Sequence, residues 1–368
     1  MDRKRTSVGL DVHARSVVAC GLDGVTGELF ERRLTPDQDE LLGWLRRLPG
    51  PVEVVYEAGP TGFGLARFLA EQHVLCRVAA PSRLQRPSGD RVKTDKRDAR
   101  HLARLLHLDE IVSVTVPGRG QEAARDLVRA REDVRRDLLS ARHRLSKLLL
   151  RHGIVYYGGK PWTANHDRWL RARRRLAVFD QPGLGLAYDA AYDAAYDTVL
   201  ATLARRDRLD TAIAEMAAYD SYAPVVTRLG CLRGVSTLTA FGLAVEIGDG
   251  QRLTGRSIGA YLGLVPSESS SGQSRQLGSI TKTGNAHARR LLIEAAWHHR
   301  RPIQPSAVLR RRQDKAGAAA RDRGQRANRR LHTRWARFDA RHKLPVVANT
   351  AIARELAGWC WSLAVLDD

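Results

Sequence analysis

Residues 1–118 alternate between two hydrophobic patterns. Short apolar runs bounded by turn residues are typical of strands, whereas apolar positions that recur every three or four residues are typical of helices. The predicted strands span residues 6–12, 16–22, 28–34, 52–57 and 74–79. The predicted helices span residues 37–47 and 61–73. This alternation predicts a mixed α/β domain over residues 1–118.

A different pattern follows that domain, because apolar residues then recur mostly at spacings of three and four among charged positions. These residues are Leu127, Val134, Leu138, Ala141, Leu145 and Leu148. The pattern predicts a long amphipathic helix over residues 121–153, either a coiled coil or a helix packed on its own domain. We interpret residues 119–224 as a helical or coiled-coil connector with a basic insertion at residues 168–175.

A short tyrosine repeat lies within this connector. Tyr188, Tyr192 and Tyr196 follow one another at a four-residue step, which places them near one face of a helix. An aromatic stripe of this kind is more typical of helix–helix packing than of a binding site, so packing is the prediction.

Residues 225–368 predict a second domain that is mainly α-helical. Helical patterns cover residues 236–247, 257–262, 285–299 and 348–366. A loop rich in serine and glycine is expected at residues 267–274. Residues 300–343 carry 15 Lys and Arg against three Asp, which predicts a flexible or ligand-ordered basic segment that contacts phosphate.

The charge of the chain narrows its possible partners. Its 368 residues are 43% hydrophobic, which is enough to form cores, and carry a formal net charge of +21. So large a basic excess favours a polyanionic partner, most commonly nucleic acid. No apolar run reaches transmembrane length and Met1–Ser7 lack a signal-peptide core, so we expect a cytoplasmic protein with no membrane partner. The four scattered cysteines form no C-x-x-C pair, which argues against structural zinc and a disulfide framework.

Four carboxylates occupy positions at which metal ligands are commonly found. Asp11 lies in the first predicted strand and Glu57 ends a later one, while Asp95 and Asp98 begin a predicted helix with Thr94 as its N-cap. The i, i+3 spacing places both aspartates on one helix face. Strand ends and a helix start can converge on one point, so these acids predict a divalent-metal site for phosphodiester chemistry on a ribonuclease-H-like sheet. A helix-dipole role for Asp95 and a turn role for Asp11 are the alternatives.

A second set of residues lies in the serine-rich segment. Serines on a glycine-flanked loop precede Lys282 and the start of a predicted helix, an arrangement that can present a nucleophile to phosphate. A polar linker is the alternative interpretation.

Together these residues resemble the DEDD insertion-sequence transposases, the insertion-sequence one-ten family, which has Piv-type DNA invertases as relatives. The resemblance rests on motifs shared in the same order along residues 6–300. They are G-x-D at Gly9–Asp11, Glu57 with its small-residue turn, K-T-D-x-x-D-A at Lys93–Ala99, G-L-x-P at Gly263–Pro266, S-G at Ser271–Gly272 and K-x-G-N at Lys282–Asn285.

The resemblance implies a concrete organisation and mechanism. It implies a RuvC-like domain over residues 1–118 with Asp11, Glu57, Asp95 and Asp98 as catalytic metal ligands for Mg²⁺ or Mn²⁺. A coiled-coil connector would span residues 119–224 and a transposase domain residues 225–368. The register of G-L-x-P places the active serine at Ser271, which would form a phosphoserine intermediate with DNA.

The family's assembly gives further expectations. Donor and target DNA and a bridge-type guide RNA are the implied partners, and composite sites imply a homo-oligomer, a dimer or tetramer. The alternative function is a RuvC-like Holliday-junction endonuclease in which metal-activated water attacks and Ser271 takes no part. A non-catalytic RNA- or DNA-binding protein is the third possibility.

Overall fold

The computed structural model describes residues 5–84, 94–174, 182–271 and 274–366. The chain divides into two units, Met1–Gly118 and Arg119–Asp368. Lys93, Arg175 and Gly272, which belong to the patterns above, lie outside the described residues.

The described residues of the first unit form five strands and three α-helices. The strands are β1 (Thr6–Val12), β2 (Val17–Asp23), β3 (Leu29–Leu34), β4 (Val52–Glu57) and β5 (Leu75–Ala79), and the helices are α1 (Gln38–Leu45), α2 (Gly64–Glu71) and α3 (Asp95–Leu108). Each lies within a few residues of its predicted position. The sheet has the order β3-β2-β1-β4-β5, in which β1 to β3 are antiparallel and β1, β4 and β5 are parallel. This mixed sheet fits a ribonuclease-H-like domain, as expected.

The two faces of the sheet are covered by different helices, because successive strand residues point to opposite sides. Leu10 and Tyr56 pack with side chains of α1 and α2 in one core. On the other face α3 lies directly against β1 at Gly9, where a Cβ would come within 2.1 Å of the carbonyl oxygen of Ala99. The glycine therefore permits the close approach of α3 to the sheet.

The second unit is mainly helical. Its helices are α4 (Arg119–Arg151), α5 (Ala164–Arg171), α6 (Pro182–Met216), α7 (Ala223–Leu229), α8 (Thr237–Ile247), α9 (Ser257–Tyr261), α10 (Ala286–Ala296), α11 (Ala307–Asp314), α12 (Ala318–Ala340) and α13 (Pro345–Ala364). A two-stranded antiparallel hairpin, β6 (Pro266–Ser271) and β7 (Ser274–Ile280), lies between α9 and α10.

The long helix α4 pairs with α6 of the same chain. The C-terminal part of α4 packs on the N-terminal part of α6, and Arg131 near the start of α4 binds Asp210 near the end of α6 at 2.7 Å. The two helices are therefore antiparallel. Of the two interpretations left open by the sequence, the structure shows a helix packed within its own chain.

The tyrosine stripe of α6 is buried in this pair, as predicted. The Tyr192 hydroxyl donates to the carbonyl oxygen of Leu170 at 2.7 Å, and the Tyr196 hydroxyl donates to the Asp167 carboxylate at 2.6 Å. Both acceptors belong to α5, so the tyrosines fix α5 on the helical pair.

Two predictions for this unit are wrong. The serine-rich segment at residues 267–274 was expected to be a loop, but its described residues form the β6–β7 hairpin. Residues 300–343 were expected to be flexible or ordered only by a ligand, but α11 and α12 cover most of them. The helix α12 is held because Leu331 and Trp335 are fully buried on its inner face. Within the described part of the chain, no helix combines the length and apolar character needed to cross a bilayer.

Candidate functional site

The carboxylates Asp11 and Glu57 lie at matching ends of two neighbouring strands. The parallel strands β1 and β4 pair Leu10 with Tyr56, so the next residue on each strand is one of these acids. Leu10 and Tyr56 face the core of α1 and α2. Alternation along the strands therefore directs Asp11 and Glu57 to the opposite face, which α3 covers.

The N-terminus of α3 supplies the other two acids. Thr94 is the N-cap, as predicted, and its hydroxyl accepts a hydrogen bond from the backbone N–H of Arg97 at 3.4 Å. Asp95 and Asp98 follow in the first turn. The close packing of α3 on Gly9 places this turn at the carboxyl edge of β1.

Three side chains converge at this edge. Ligand atoms of Asp11, His13 and Asp95 all lie within 4.8 Å of one another. The Nε2 atom of His13 is 3.1 Å from Asp11 Oδ2 and 3.9 Å from Asp95 Oδ1. Glu57 is exposed and lies outside this group of three.

The pKa of Asp11 is governed first by partial burial and then by the charged groups around it. Partial burial raises the pKa of Asp11 above its ordinary value, and the carboxylates of Asp95 and Asp98 raise it further. His13 acts in the opposite direction through its charge and hydrogen bond, but the net shift is upward. Asp98 is therefore near enough to act on Asp11 although it lies outside the close group.

These donors fit a divalent cation. Carboxylate oxygens are preferred ligands of Mg²⁺ and Mn²⁺, and a neutral imidazole nitrogen is a common additional ligand. A cation at this point would neutralise the converging carboxylates that raise the pKa of Asp11.

The predicted nucleophile, Ser271, ends β6 on the exposed hairpin of the second unit. Ser267 donates its hydroxyl to the carbonyl oxygen of Ser279 at 3.1 Å, and Ser270 donates to Glu268 at 2.9 Å. Among the described residues nothing accepts or donates a hydrogen bond at the Ser271 hydroxyl. Two of the four exposed serines of β6 thus donate hydrogen bonds within the hairpin, and Ser269 and Ser271 are the other two.

The base of the hairpin is fixed by backbone contacts. The N–H of Lys282 donates to the carbonyl oxygen of Gly263 at 3.1 Å. Gly263 and Gly284 both have positive φ, and a Cβ on Gly284 would lie 1.9 Å from the carbonyl oxygen of Tyr261. The two glycines of the G-L-x-P and K-x-G-N motifs therefore lock the ends of the hairpin together.

A buried carboxylate anchors the helix that follows the hairpin. Glu246 of α8 is 2% exposed and accepts two hydrogen bonds from Arg129 of α4, at 3.1 and 3.0 Å. It also accepts from the Asn285 amide at 2.6 Å and lies 3.1 Å from His287 Nδ1. Burial raises the pKa of Glu246, but its hydrogen bonds to His287, Arg129 and Asn285 prevail and lower the pKa to about 2. The ionised carboxylate therefore connects α4, α8 and the start of α10.

Comparison with known proteins places the chain in a family. A transposase family model of the DEDD type matches residues 8–154, and the model described as "Transposase IS116/IS110/IS902 family" matches residues 226–308. The chain is 36% identical to "Putative transposase y4qE" of Sinorhizobium fredii, over 99% of this chain and 89% of that protein. It is 30% identical to "Transposase for insertion sequence element IS1533" of Leptospira borgpetersenii, over 93% of this chain and 99% of that protein. The chain belongs to the IS110 family of DEDD transposases.

Membership of the IS110 family makes DNA the substrate of this transposase and DNA cleavage and rejoining its class of reaction. The DEDD domain also implies a divalent metal, for which the group at Asp11 supplies ligands. The earlier interpretation of the chain as a DEDD insertion-sequence transposase is thus confirmed.

One residue of this site was missed in the sequence of the IS110-family protein. His13 belongs to the group with Asp11 and Asp95, whereas the sequence pattern predicted only the four acids as ligands. The signal was present, because residues i and i+2 at the end of a strand point to the same side. Asp11 and His13 have that spacing.

Proposed function

We propose that this transposase mobilises an insertion sequence with two catalytic elements, a metal-dependent DEDD site and a serine nucleophile. Asp11, Glu57, Asp95 and Asp98 would hold Mg²⁺, with Mn²⁺ as the alternative ion, and Ser271 would attack the DNA backbone. A bridge-type guide RNA would select the donor and target DNA, and the working form would be a homo-oligomer.

The observation that carries this proposal is the convergence of Asp11, His13 and Asp95 at the carboxyl edge of the sheet. The two carboxylates come from β1 and the start of α3, and their mutual repulsion, which His13 offsets in part, would be relieved by a bound cation. Glu57 ends the adjacent strand and points to the same face of the sheet. His13 would add a nitrogen ligand or orient Asp11.

The serine assignment is supported by the exposure of the hairpin and by the register of the G-L-x-P motif, which points to Ser271. Every residue of β6 after Pro266 is exposed, so the hydroxyls are accessible to a large substrate. Ser267 and Ser270 already donate hydrogen bonds within the hairpin. Ser269 and Ser271 are both exposed and have no hydrogen-bond partner at their hydroxyls among the described residues, so the motif register selects Ser271 between them.

The proposed step is a transesterification. The Oγ–P bond forms as one backbone P–O bond breaks, the serine proton passes to solvent or a nearby base, and the departing sugar oxygen takes up a proton. The phosphoserine conserves the energy of the phosphodiester, so attack by a sugar hydroxyl of another strand rejoins DNA without a further cofactor. A bound divalent cation would stabilise negative charge on the phosphate.

The guide RNA and the oligomer follow from the resemblance to the family. The net charge of +21 is in keeping with an extensive nucleic-acid partner, DNA or RNA.

The test is covalent trapping on DNA. The full chain is incubated with labelled donor DNA, the bridge RNA of its element and Mg²⁺, quenched with detergent, and assayed for protein–DNA adducts. Ser271→Ala should abolish adducts while leaving DNA binding intact, and the matched variant Ser269→Ala should retain them. Asp11→Asn should abolish both adducts and cleavage.

Three results would contradict parts of the proposal. Adducts that persist in Ser271→Ala would show that the nucleophile is another residue. Free cleaved ends without adducts in the wild type, and indifference to Ser271→Ala, would favour the Holliday-junction endonuclease. Equal adduct yield with and without the RNA would exclude a guide role in cleavage.

A further inference from the structure

The outer face of α12 carries an uninterrupted row of arginines. Five of them follow one another at spacings of three or four, and Arg329 adjoins this row on the same surface. The six are Arg326, Arg329, Arg330, Arg334, Arg337 and, at the C-cap of the helix, Arg341. At 1.5 Å per residue the row is about 22 Å long, which corresponds to about six base pairs of duplex. We call these six residues the arginine stripe.

Most of the positive charge of the stripe is unneutralised. Arg330 and Arg334 share one carboxylate, Glu355 of α13, while Arg326 binds Asp322 at 2.9 Å. The remaining members, Arg329, Arg337 and Arg341, have no acidic partner among the described residues. Like charges at these spacings destabilise a helix, so the stripe opposes folding rather than aiding it.

The stripe is rigidly mounted. The opposite face of α12 is buried through Ala327, Leu331 and Trp335, and the Trp335 indole donates to the carbonyl oxygen of Ala296 at 3.3 Å. Gly324 lies so close to Cys231 that a Cβ there would come within 2.6 Å of its side chain. The packing of this face therefore fixes the orientation of α12, and with it the side from which the arginines project.

The stripe also continues toward the serine hairpin within the same unit. A groove of about 1210 Å³ is lined by Arg330 and Arg334 of the stripe and by Ser279 and Ile280 of β7. Trp359 and Trp361 of α13 also line it. Arg354 of α13 lies along it and adds a further guanidinium. A polyanion on the stripe would thus be led to the base of the hairpin that ends in Ser271.

We propose that the arginine stripe of α12 binds the sugar–phosphate backbone of a nucleic-acid duplex and positions that duplex beside the groove that reaches the β6–β7 hairpin. The inference rests on the proposed function only for the destination, because backbone binding by the stripe is independent of which residue is the nucleophile. Guanidinium groups suit phosphate oxygens, which they bind through two donors.

The surroundings of the stripe favour a duplex over other polyanions. Single-stranded binding surfaces need aromatic platforms on which bases stack. Along the stripe itself, as distinct from the adjoining groove, the aromatic side chain is Phe338, which the Arg334 guanidinium already covers at 5.4 Å. A membrane surface would require an apolar face for insertion, whereas the apolar face of α12 is buried in the protein.

The test is the salt dependence of binding, measured by fluorescence anisotropy with the full chain. Probes are DNA and RNA duplexes of arbitrary sequence, about 20 base pairs long and therefore longer than the stripe. The variant Arg329→Gln/Arg337→Gln/Arg341→Gln removes three phosphate contacts. Since each contributes about 0.9 to the slope of log K against log salt, the slope should fall by about 2.7. Between about 50 and 200 mM salt, wild-type affinity should therefore drop about 40-fold more than that of the variant.

A matched variant controls for diffuse charge. Arg144→Gln/Arg205→Gln/Arg208→Gln removes the same charge from exposed positions of α4 and α6 and should leave the slope near the wild-type value. A reduced slope with only one duplex would identify that duplex as the ligand. An unchanged slope in the stripe variant would overturn the proposal, as would an equal reduction in the control. A loss confined to single strands or anionic vesicles would also overturn it.

The assignment of Ser271 and the role of the arginine stripe can be refuted independently of each other. Ser271→Ala should keep the wild-type salt slope, while the stripe variant should still form adducts at low salt and saturating DNA. Adducts that survive Ser271→Ala would leave the stripe intact as a binding site. A normal slope in the stripe variant would leave the nucleophile unaffected.

Discussion

The close approach of α3 to β1 at Gly9 predicts a coupled loss of stability and metal affinity in Gly9→Ala. The added Cβ would lie 2.1 Å from the Ala99 carbonyl oxygen and 2.5 Å from the Ala103 nitrogen. Both are backbone atoms of a helix, so no side-chain rotation can relieve the overlap. Ordinary contact requires α3 to retreat from the sheet by about 1 Å, an overpacking displacement.

The magnitude follows from two opposing effects. Overpacking a tight contact costs about 1–3 kcal/mol, and alanine recovers about 0.5–1 kcal/mol of the entropy that glycine loses on folding. A net loss of about 1–2 kcal/mol is expected. Because α3 carries Asp95, the shift also exceeds the roughly 0.2 Å tolerance of ligand distances, so metal affinity should fall on the order of tenfold.

The assay combines urea unfolding with calorimetric titration of Mn²⁺. Gly21→Ala is the matched control, because this glycine lies in the adjacent strand and its Cβ would meet only side-chain atoms at 3.3–3.6 Å. It should lose little stability and no metal affinity. If Gly9→Ala unfolds at the same urea concentration as Gly21→Ala, or binds Mn²⁺ as tightly as the wild type, the close approach does not position the site.

Two further predictions concern individual polar residues. His13→Ala should weaken Mn²⁺ binding by roughly 10–100-fold, because the imidazole either binds the ion or orients Asp11; calorimetric titration measures this. Glu246→Gln should flatten the acid dependence of stability. The folded pKa of Glu246, about 2, lies below its ordinary 4.5, so its contribution is complete above pH about 5 and is lost as pH falls toward 2. Urea midpoints between about pH 5 and pH 3 test it.

Each of these predictions has a clear contrary outcome. His73→Asn, on the exposed turn after α2, controls for loss of any imidazole, since asparagine accepts the positive φ found there. Equal Mn²⁺ affinity in both histidine variants would remove His13 from the site. If Glu246→Gln loses stability on acidification as steeply as the wild type, then Glu246 does not carry the ionised link between α4 and α10.

The N-terminal unit was largely predictable because its strands and helices are marked by local patterns. Alternating and contiguous apolar runs gave every strand of the sheet, and Thr94 marked the start of α3. The site was predictable in part. Asp11 and Asp95 converge as expected, whereas His13 was overlooked because only acids were considered as ligands for a hard cation.

The C-terminal unit was less predictable because its packing is non-local or uses small residues. Strand β6 consists largely of serine, a weak strand former, and the hairpin is held by the contact of Gly263 with the backbone at residues 282–283. The inner face of α12 is built with residues such as Ala320 and Gly324, which carry little hydrophobic signal among so many arginines. The burial of these positions is therefore shown by the structure and is not marked in the sequence by large hydrophobic residues.

Gly263 and Gly284 fix the base of the hairpin, so the length of its strands determines how far its tip extends. From Val265, whose carbonyl oxygen accepts from the N–H of Thr281, six residues lead to Ser271, a reach of about 20 Å at 3.3 Å per residue. Lengthening each strand by two residues would extend that reach by about 7 Å and keep the serine on its face, whereas one residue would turn it to the other side. The distance of Ser271 from the base of the hairpin can therefore change only by two residues per strand if the serine is to stay on the same face.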